Sequence, residues 1–149
     1  MTFDQPKTAR PSAPPPSSSR PALFVVDDDV ATLELLCEIG RDAGWVAHGF
    51  TLLSELRLAL RKAKPALLII DDDLPDGRGG DLARELRYDR RMAGVPTLVC
   101  TAAHPIRQAE IGSWAPVMSK PFDLAEVEAH LAEAARRQRG SGASGQRAG

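Results

Sequence analysis

Cysteine is scarce in this chain: two in 149 residues, Cys37 and Cys100, each set among apolar neighbours. Two cysteines cannot build a disulfide framework, and their setting is that of reduced, buried thiols in a cytosolic protein. There is no excess of basic charge. Nineteen Lys and Arg stand against twenty Asp and Glu, a net charge of −1, so the polybasic footprint of a nucleic-acid binder is missing and no nucleic-acid partner is expected. No apolar run reaches the roughly 18 residues of a membrane-spanning helix. Pro11, Pro14, Pro15 and Pro16 stand where a signal peptide needs an apolar stretch, which argues for a cytoplasmic location. No internal repeat is visible, and His48, His104 and His130 lie too far apart to have metal-ligand spacing. What is present is ordinary for a globular chain: 43% hydrophobic and 26% charged residues, and a length suited to one domain.

Composition divides the chain into three parts. Residues 1–21 hold six of the twelve prolines and four serines, too little apolar surface to offset the entropy of ordering, and are expected to be a disordered tail. Residues 140–149 are Gly/Ser-rich and read as a flexible tail. Residues 22–139 remain as the folded domain. It is more acidic than the whole, because the tails carry four of the cations and one of the acids.

Within that domain strands and helices alternate. Leu23-Phe24-Val25-Val26 is an apolar run too short for a helix. Val30, Leu33, Leu36, Cys37 and Gly40 then recur at helical spacing, and Gly44 stands where a left-handed cap ends a helix. Residues 45–50 form a weak strand, with Trp45 covering a sheet edge, and 52–63 a second helix. Ala66-Leu67-Leu68-Ile69-Ile70 is apolar at every position, the mark of a central parallel strand covered on both faces. A third helix is expected over 81–91, a fourth strand over 97–100, a short helix over 105–111 and a fifth strand over 117–119. Asp123 and Glu126 have capping-box spacing, and Leu124, Val127, Leu131 and Ala135 give the last helix an apolar stripe. Arg136, Arg137 and Arg139 suit its C-terminal dipole. The alternation predicts an α/β fold, a doubly wound five-stranded parallel sheet in the flavodoxin-like order 2-1-3-4-5. Such sheets bind ligands beyond the carboxyl ends of their strands.

Those ends are rich in chemistry. Strand one runs into Asp27-Asp28-Asp29 and strand three into Asp71-Asp72-Asp73-Leu74-Pro75-Asp76-Gly77; strand four ends at Thr101 and strand five at Lys120-Pro121-Phe122. In the order 2-1-3-4-5 strands one and three are neighbours, so their carboxylates converge and repel unless a cation joins them. Hard oxygen donors in a small site suit Mg²⁺. A lysine and a threonine hydroxyl at the same pocket complement an anion such as phosphoryl.

The four segments Phe24-Val25-Val26-Asp27-Asp28-Asp29, Leu68 to Gly79, Leu98-Val99-Cys100-Thr101-Ala102 and Ser119-Lys120-Pro121-Phe122 resemble, in order, the signatures of bacterial response-regulator receiver domains, over residues 22–139. The resemblance implies that Asp71 is the phosphoacceptor, since it lies four before Pro75 and six after Pro65. It implies that Asp27, Asp28, Asp71 and the backbone carbonyl of Asp73 hold Mg²⁺, with Asp28 the more direct ligand of the acidic pair. Thr101 and Lys120 would contact the phosphoryl group, and the Lys120–Pro121 peptide would be cis. The donor implied is a sensor histidine kinase or a histidine phosphotransfer protein, and the chain would be a signalling protein that catalyses only its own phosphorylation and dephosphorylation.

Two features depart from the family pattern. The position three before Lys120, usually aromatic, is Val117, with Trp114 nearby but out of register. The stretch from Thr101 to Lys120 is short and holds Pro105, Gly112 and Pro116, so the fourth helix is expected to be short or irregular and the chain monomeric. Two other functions compete: an interaction module that is never phosphorylated, motivated by these departures, and a haloacid-dehalogenase-type phosphatase, motivated by the Asp-x-Asp of Asp71 and Asp73. Against the second, that motif normally sits on a first strand.

Overall fold

The computed structural model describes residues 20–148, and side-chain environments as far as residue 140. Residues 1–19 and 149 lie outside the described residues, and with them nearly all of the expected N-terminal tail. Five parallel strands form the sheet: β1 (Ala22–Val26), β2 (Val46–Phe50), β3 (Leu67–Asp71), β6 (Thr97–Thr101) and β7 (Val117–Ser119), in the order β2-β1-β3-β6-β7. A two-stranded antiparallel hairpin, β4 (Asp73–Leu74) with β5 (Gly77–Arg78), follows β3. The helices are α1 (Val30–Asp42), α2 (Leu53–Lys62), α3 (Gly79–Arg87), α4 (Pro105–Gly112) and α5 (Leu124–Ala148). This is the flavodoxin-like doubly wound sheet expected from the strand pattern. Among the described residues no helix is long and apolar enough to cross a membrane.

The apolar runs of the strands split between two cores by the two-residue period of the pleat. Leu23, Val25, Ile69, Leu98, Cys100 and Met118 point toward α1 and α5, where Leu36, Cys37, Val127 and Leu131 meet them. Phe24, Val26, Leu68, Ile70 and Val99 point the other way, onto Leu53 and Leu56 of α2, Leu82 and Leu86 of α3 and Ile111 of α4. Burying each large aliphatic side chain contributes about 1.5–3 kcal/mol. The free thiols of Cys37 and Cys100 are both buried, and burial pushes the Cys100 thiol up to about 12.

Local signals account for most boundaries. The Asp29 side chain accepts from the Thr32 N–H and starts α1. Gly44, at φ +95°, leads the chain out of it. Asp123 and Glu126 exchange the reciprocal bonds of a capping box at α5, at 2.9 and 3.4 Å. Two expectations are corrected. Helix α3 begins at Gly79 and ends at Arg87, because Asp89 takes the Arg91 N–H (2.9 Å) and turns the chain into a separate 3₁₀ turn, Arg90–Met92. Val30 and Leu124, placed on buried stripes by spacing, are 55% and 54% exposed; each is the first residue of its helix, beyond the sheet edge. The fourth helix is short but unbroken, with Pro105 in its first turn and the His104 ring accepting from the Ile106 N–H. Helical backbone continues past residue 140 to Ala148; once a helix is nucleated, each further residue adds a hydrogen bond without a new nucleus.

The turn from β5 into α3 depends on glycine. A Cβ on Gly79 would lie 2.0 Å from the Asp71 carbonyl oxygen and 2.2 Å from Ile70 Cγ2. Gly112, at the end of α4, has nothing within 4 Å of such a position. We expect Gly79→Ala to destabilise the fold by about 2 kcal/mol or more, and Gly112→Ala to be neutral or to stabilise by up to about 1 kcal/mol. Urea unfolding of both variants checks this; equal effects would refute the close approach at Gly79.

Candidate functional site

Strand pairing places the acids. In the β1–β3 register Val26 faces Ile70, so Asp27, one residue beyond, comes level with Asp71, and the pleat turns both to the α1–α5 side. Asp27 is 1% exposed and Asp71 5%. Carboxylate oxygens of Asp27, Asp28 and Asp71 all lie within 4.8 Å of one another. Asp28 is exposed at the rim, and Asp27 is fixed by the Asp29 N–H on its Oδ1 at 2.9 Å.

One cation holds this cluster. Lys120 Nζ donates to Asp27 Oδ2 at 3.0 Å and pairs with Asp71 Oδ1 at 2.9 Å. Its backbone is set by the Lys120 N–H to the Thr101 carbonyl (2.8 Å), and the following Lys120–Pro121 peptide is cis. Burial opposes the charge on Lys120, but its bonds to Asp71 and Asp27 outweigh that and hold it above the usual lysine range. Burial pushes Asp71 up to about 6; Lys120 lowers it, and Asp27 and Asp28 raise it again.

Thr101 closes the third side. It is 2% exposed, and its hydroxyl oxygen accepts from the Ala103 N–H at 2.9 Å. A hydroxyl that accepts from backbone keeps its own proton to donate. Asp73, exposed in the hairpin, lines the same cleft of about 770 Å³ with Asp27, Asp28, Asp71, Thr101 and Lys120. The structure therefore brings together every residue that the sequence singled out. Three hard carboxylates with one ammonium between them leave a net negative charge that fits a divalent cation such as Mg²⁺.

Sequence reasoning missed a role for Asp72, which it named only within the Asp71-Asp72-Asp73 run. The pleat sends it to the opposite face from Asp71, where it is 1% exposed. Arg107 of α4 grips it with two nitrogens, Nε to Oδ2 at 3.1 Å and Nη2 to Oδ1 at 2.9 Å; the Gly80 N–H adds 2.9 Å and Arg78 Nη1 3.3 Å. Burial works against the charge of Asp72, but these donors outweigh it and hold the carboxyl below its usual range. The Trp114 indole N–H reaches the Gly80 carbonyl at 2.8 Å, with the Arg84 guanidinium 4.9 Å from its ring. Arg107 lies thirty-five residues from Asp72, and no local pattern signals that separation.

Comparison with known proteins gives the family. The family described as response regulator receiver domain matches residues 23–132, and the chain belongs to it. Among curated relatives, the probable transcriptional regulatory protein SilR of Salmonella typhimurium is 34% identical over 77% of this chain and 51% of its own length. The DNA-binding response regulator MtrA of Mycolicibacterium smegmatis is 33% identical over 79% of the chain and 52% of its own. The chain thus spans about half the length of these relatives. The chemotaxis response regulator CheY4 of Vibrio cholerae shares the fold with a TM-score of 0.70 at 19% identity, covering 78% of this chain and 99% of that one. A receiver domain is a signalling domain of two-component systems, and the phosphatase alternative falls with the family match.

The raised pKa of Asp71 has a consequence for stability. A carboxyl that ionises near 3.8 when unfolded and about 6 when folded favours the folded state fully below the lower value. That contribution is lost as pH rises through the upper one, by at most about 3 kcal/mol. Asp71→Asn should therefore be more stable than the unaltered chain at pH 7 without divalent metal, by about 1–3 kcal/mol, and the gap should close toward pH 4. Denaturant melts at the two pH values measure it; equal stability at pH 7 would show that Lys120 fully offsets the buried charge.

Proposed function

We propose that the chain accepts a phosphoryl group on Asp71 from a phosphohistidine of a sensor kinase or phosphotransfer protein, and that residues 22–139 form this receiver. The observation that carries the reading is the Asp71 carboxylate, buried at the end of β3, held by Lys120 at 2.9 Å and flanked by Asp27 and Asp28. A positioned carboxylate is a competent nucleophile for phosphoryl transfer. An Asp71 oxygen attacks phosphorus in line, the bond from phosphorus to the donor nitrogen breaks, and the imidazole leaves with that electron pair. Such transfer depends on positioning and charge neutralisation more than on covalent help. Lys120 fixes the carboxylate and balances charge, and Thr101 has a hydroxyl proton to give a phosphoryl oxygen. Asp27, Asp28, Asp71 and the Asp73 carbonyl would hold Mg²⁺, which supplies Lewis-acid neutralisation of the phosphoryl oxygens. Hydrolysis of the acyl phosphate resets the protein.

The signal leaves through the loop after β6. Drawing the Thr101 hydroxyl toward a phosphoryl group pulls on Ala103, which is bonded to it, and so on the start of α4. Val117 packs against the core on the α2–α4 side and, being β-branched, has one narrow rotamer preference. It cannot act as a swinging ring.

Labelling with acetyl phosphate and Mg²⁺ should be lost in Asp71→Asn, and Asp28→Ala should abolish Mg²⁺ binding measured by calorimetry. Persistent labelling of Asp71→Asn would move the acceptor elsewhere.

We further propose a cytoplasmic monomer with a protein rather than a nucleic-acid partner; the net charge of −1 supports this for these 149 residues. Helix α4 has only eight residues and ends at Gly112, a small surface for a regulated interface. Sedimentation at micromolar concentration, with and without beryllofluoride, should give a monomer in both states. A shift to dimer would show that this face assembles.

A further inference from the structure

We propose that Arg78 binds the anionic phosphoryl group of the incoming donor, an inference that rests on Asp71 being the acceptor. The cleft presents a difficulty to any phosphoryl donor: five aspartates, 27 to 29, 71 and 73, line it besides the ion-paired Asp72, and two basic residues, Lys120 and Arg78, line it with them. A phosphoryl donor carries negative charge and is repelled by such a wall. Lys120 is already engaged by Asp27 and Asp71, and its side chain is 23% exposed. Arg78 is differently placed. It pairs with Asp73 across the hairpin that directly follows Asp71, so it stands at the mouth of the cleft. Its side chain is 56% exposed, and its ion pair is one 3.3 Å contact to Asp72 Oδ2.

That contact is dispensable to Asp72. Arg107 already engages both carboxylate oxygens, and the Gly80 N–H bonds one of them. Releasing Arg78 leaves no buried charge unpaired, because Arg107 still pairs with Asp72 at 2.9 Å. A guanidinium also suits the task, because its planar fork can donate to two phosphoryl oxygens at once. Asp72 thus holds Arg78 at the rim of the cleft, and a donor with more negative charge draws it away.

The test uses the full chain with acetyl phosphate as donor, in the presence of saturating Mg²⁺. Labelling rate is measured against donor concentration for the unaltered protein, Arg78→Ala and Arg78→Lys. The apparent affinity for beryllofluoride is measured in parallel from tryptophan fluorescence. Arg78→Ala should raise the half-saturating donor concentration about tenfold, as expected for a charge-assisted hydrogen bond, with the maximal rate and Mg²⁺ affinity little changed. Where labelling does not saturate, the second-order rate constant should fall by the same factor. Beryllofluoride should bind correspondingly more weakly, and Arg78→Lys should recover part of both losses. If the unaltered chain labels at Asp71 and Arg78→Ala has the same donor dependence and beryllofluoride affinity, Arg78 is only a surface ion pair and the inference is overturned. If the unaltered chain does not label, or Asp71→Asn labels as fast, the acceptor reading itself fails and takes this inference with it.

Discussion

Carboxylate oxygens of Asp27, Asp28 and Asp71 stand within 4.8 Å of one another, and like charges at that separation repel. Lys120 is the counterweight. Its ammonium touches two of the three acids, and it arrives from the far side of the sheet's switch point, ninety-three residues from Asp27. The arrangement holds because the strands beneath it are buried on both faces and cannot yield to relieve the repulsion. The residual negative charge on these carboxylates is of the kind that fits a divalent cation.

Asp71 and Asp72 show how much a single residue step matters in a strand. The pleat directs one into the cleft and the other to the α3–α4 side. Asp71 is left partly unsatisfied, with burial and two neighbouring acids acting against its charge. Asp72, equally buried, is satisfied by two guanidinium nitrogens, a backbone N–H and a second arginine. Removing one partner of such a buried pair leaves a costly unpaired charge, so Asp72 ties α4 firmly to β3. With Trp114 bonded to the Gly80 carbonyl, the helices on that face are clasped to the strand that carries Asp71. These polar contacts join the strand to the α3–α4 face in a protein that has valine at position 117.

Most of the fold could be read locally. The fully apolar run of β3 marked a central strand, Gly44 marked a helix end, and Asp123 with Glu126 marked a helix start, because each signal acts over a few residues through periodicity or capping. The candidate site was legible for a related reason. In a doubly wound sheet, strand order alone brings the residues after β1, β3, β6 and β7 to one edge, so their identities could be read before their distances were known. The misplacements are equally instructive. Val30 and Leu124 have the right spacing for buried stripes, but spacing does not say where the sheet ends.

The alternation of strands and helices, most strand ends, the caps and the set of acids, threonine and lysine were therefore determined by the sequence itself, through short-range stereochemistry and the two-residue and 3.6-residue periods. Tertiary structure alone decided which aspartate of the Asp71–Asp73 run is buried with which partner, and that Gly79 must pass against the Asp71 carbonyl. It also decided that Arg107 closes on Asp72 while Arg78 is left half free. The reason is physical: hydrophobic periodicity is written along the chain, whereas the pairing of one buried charge with another depends on where two distant segments come to lie once both cores have packed.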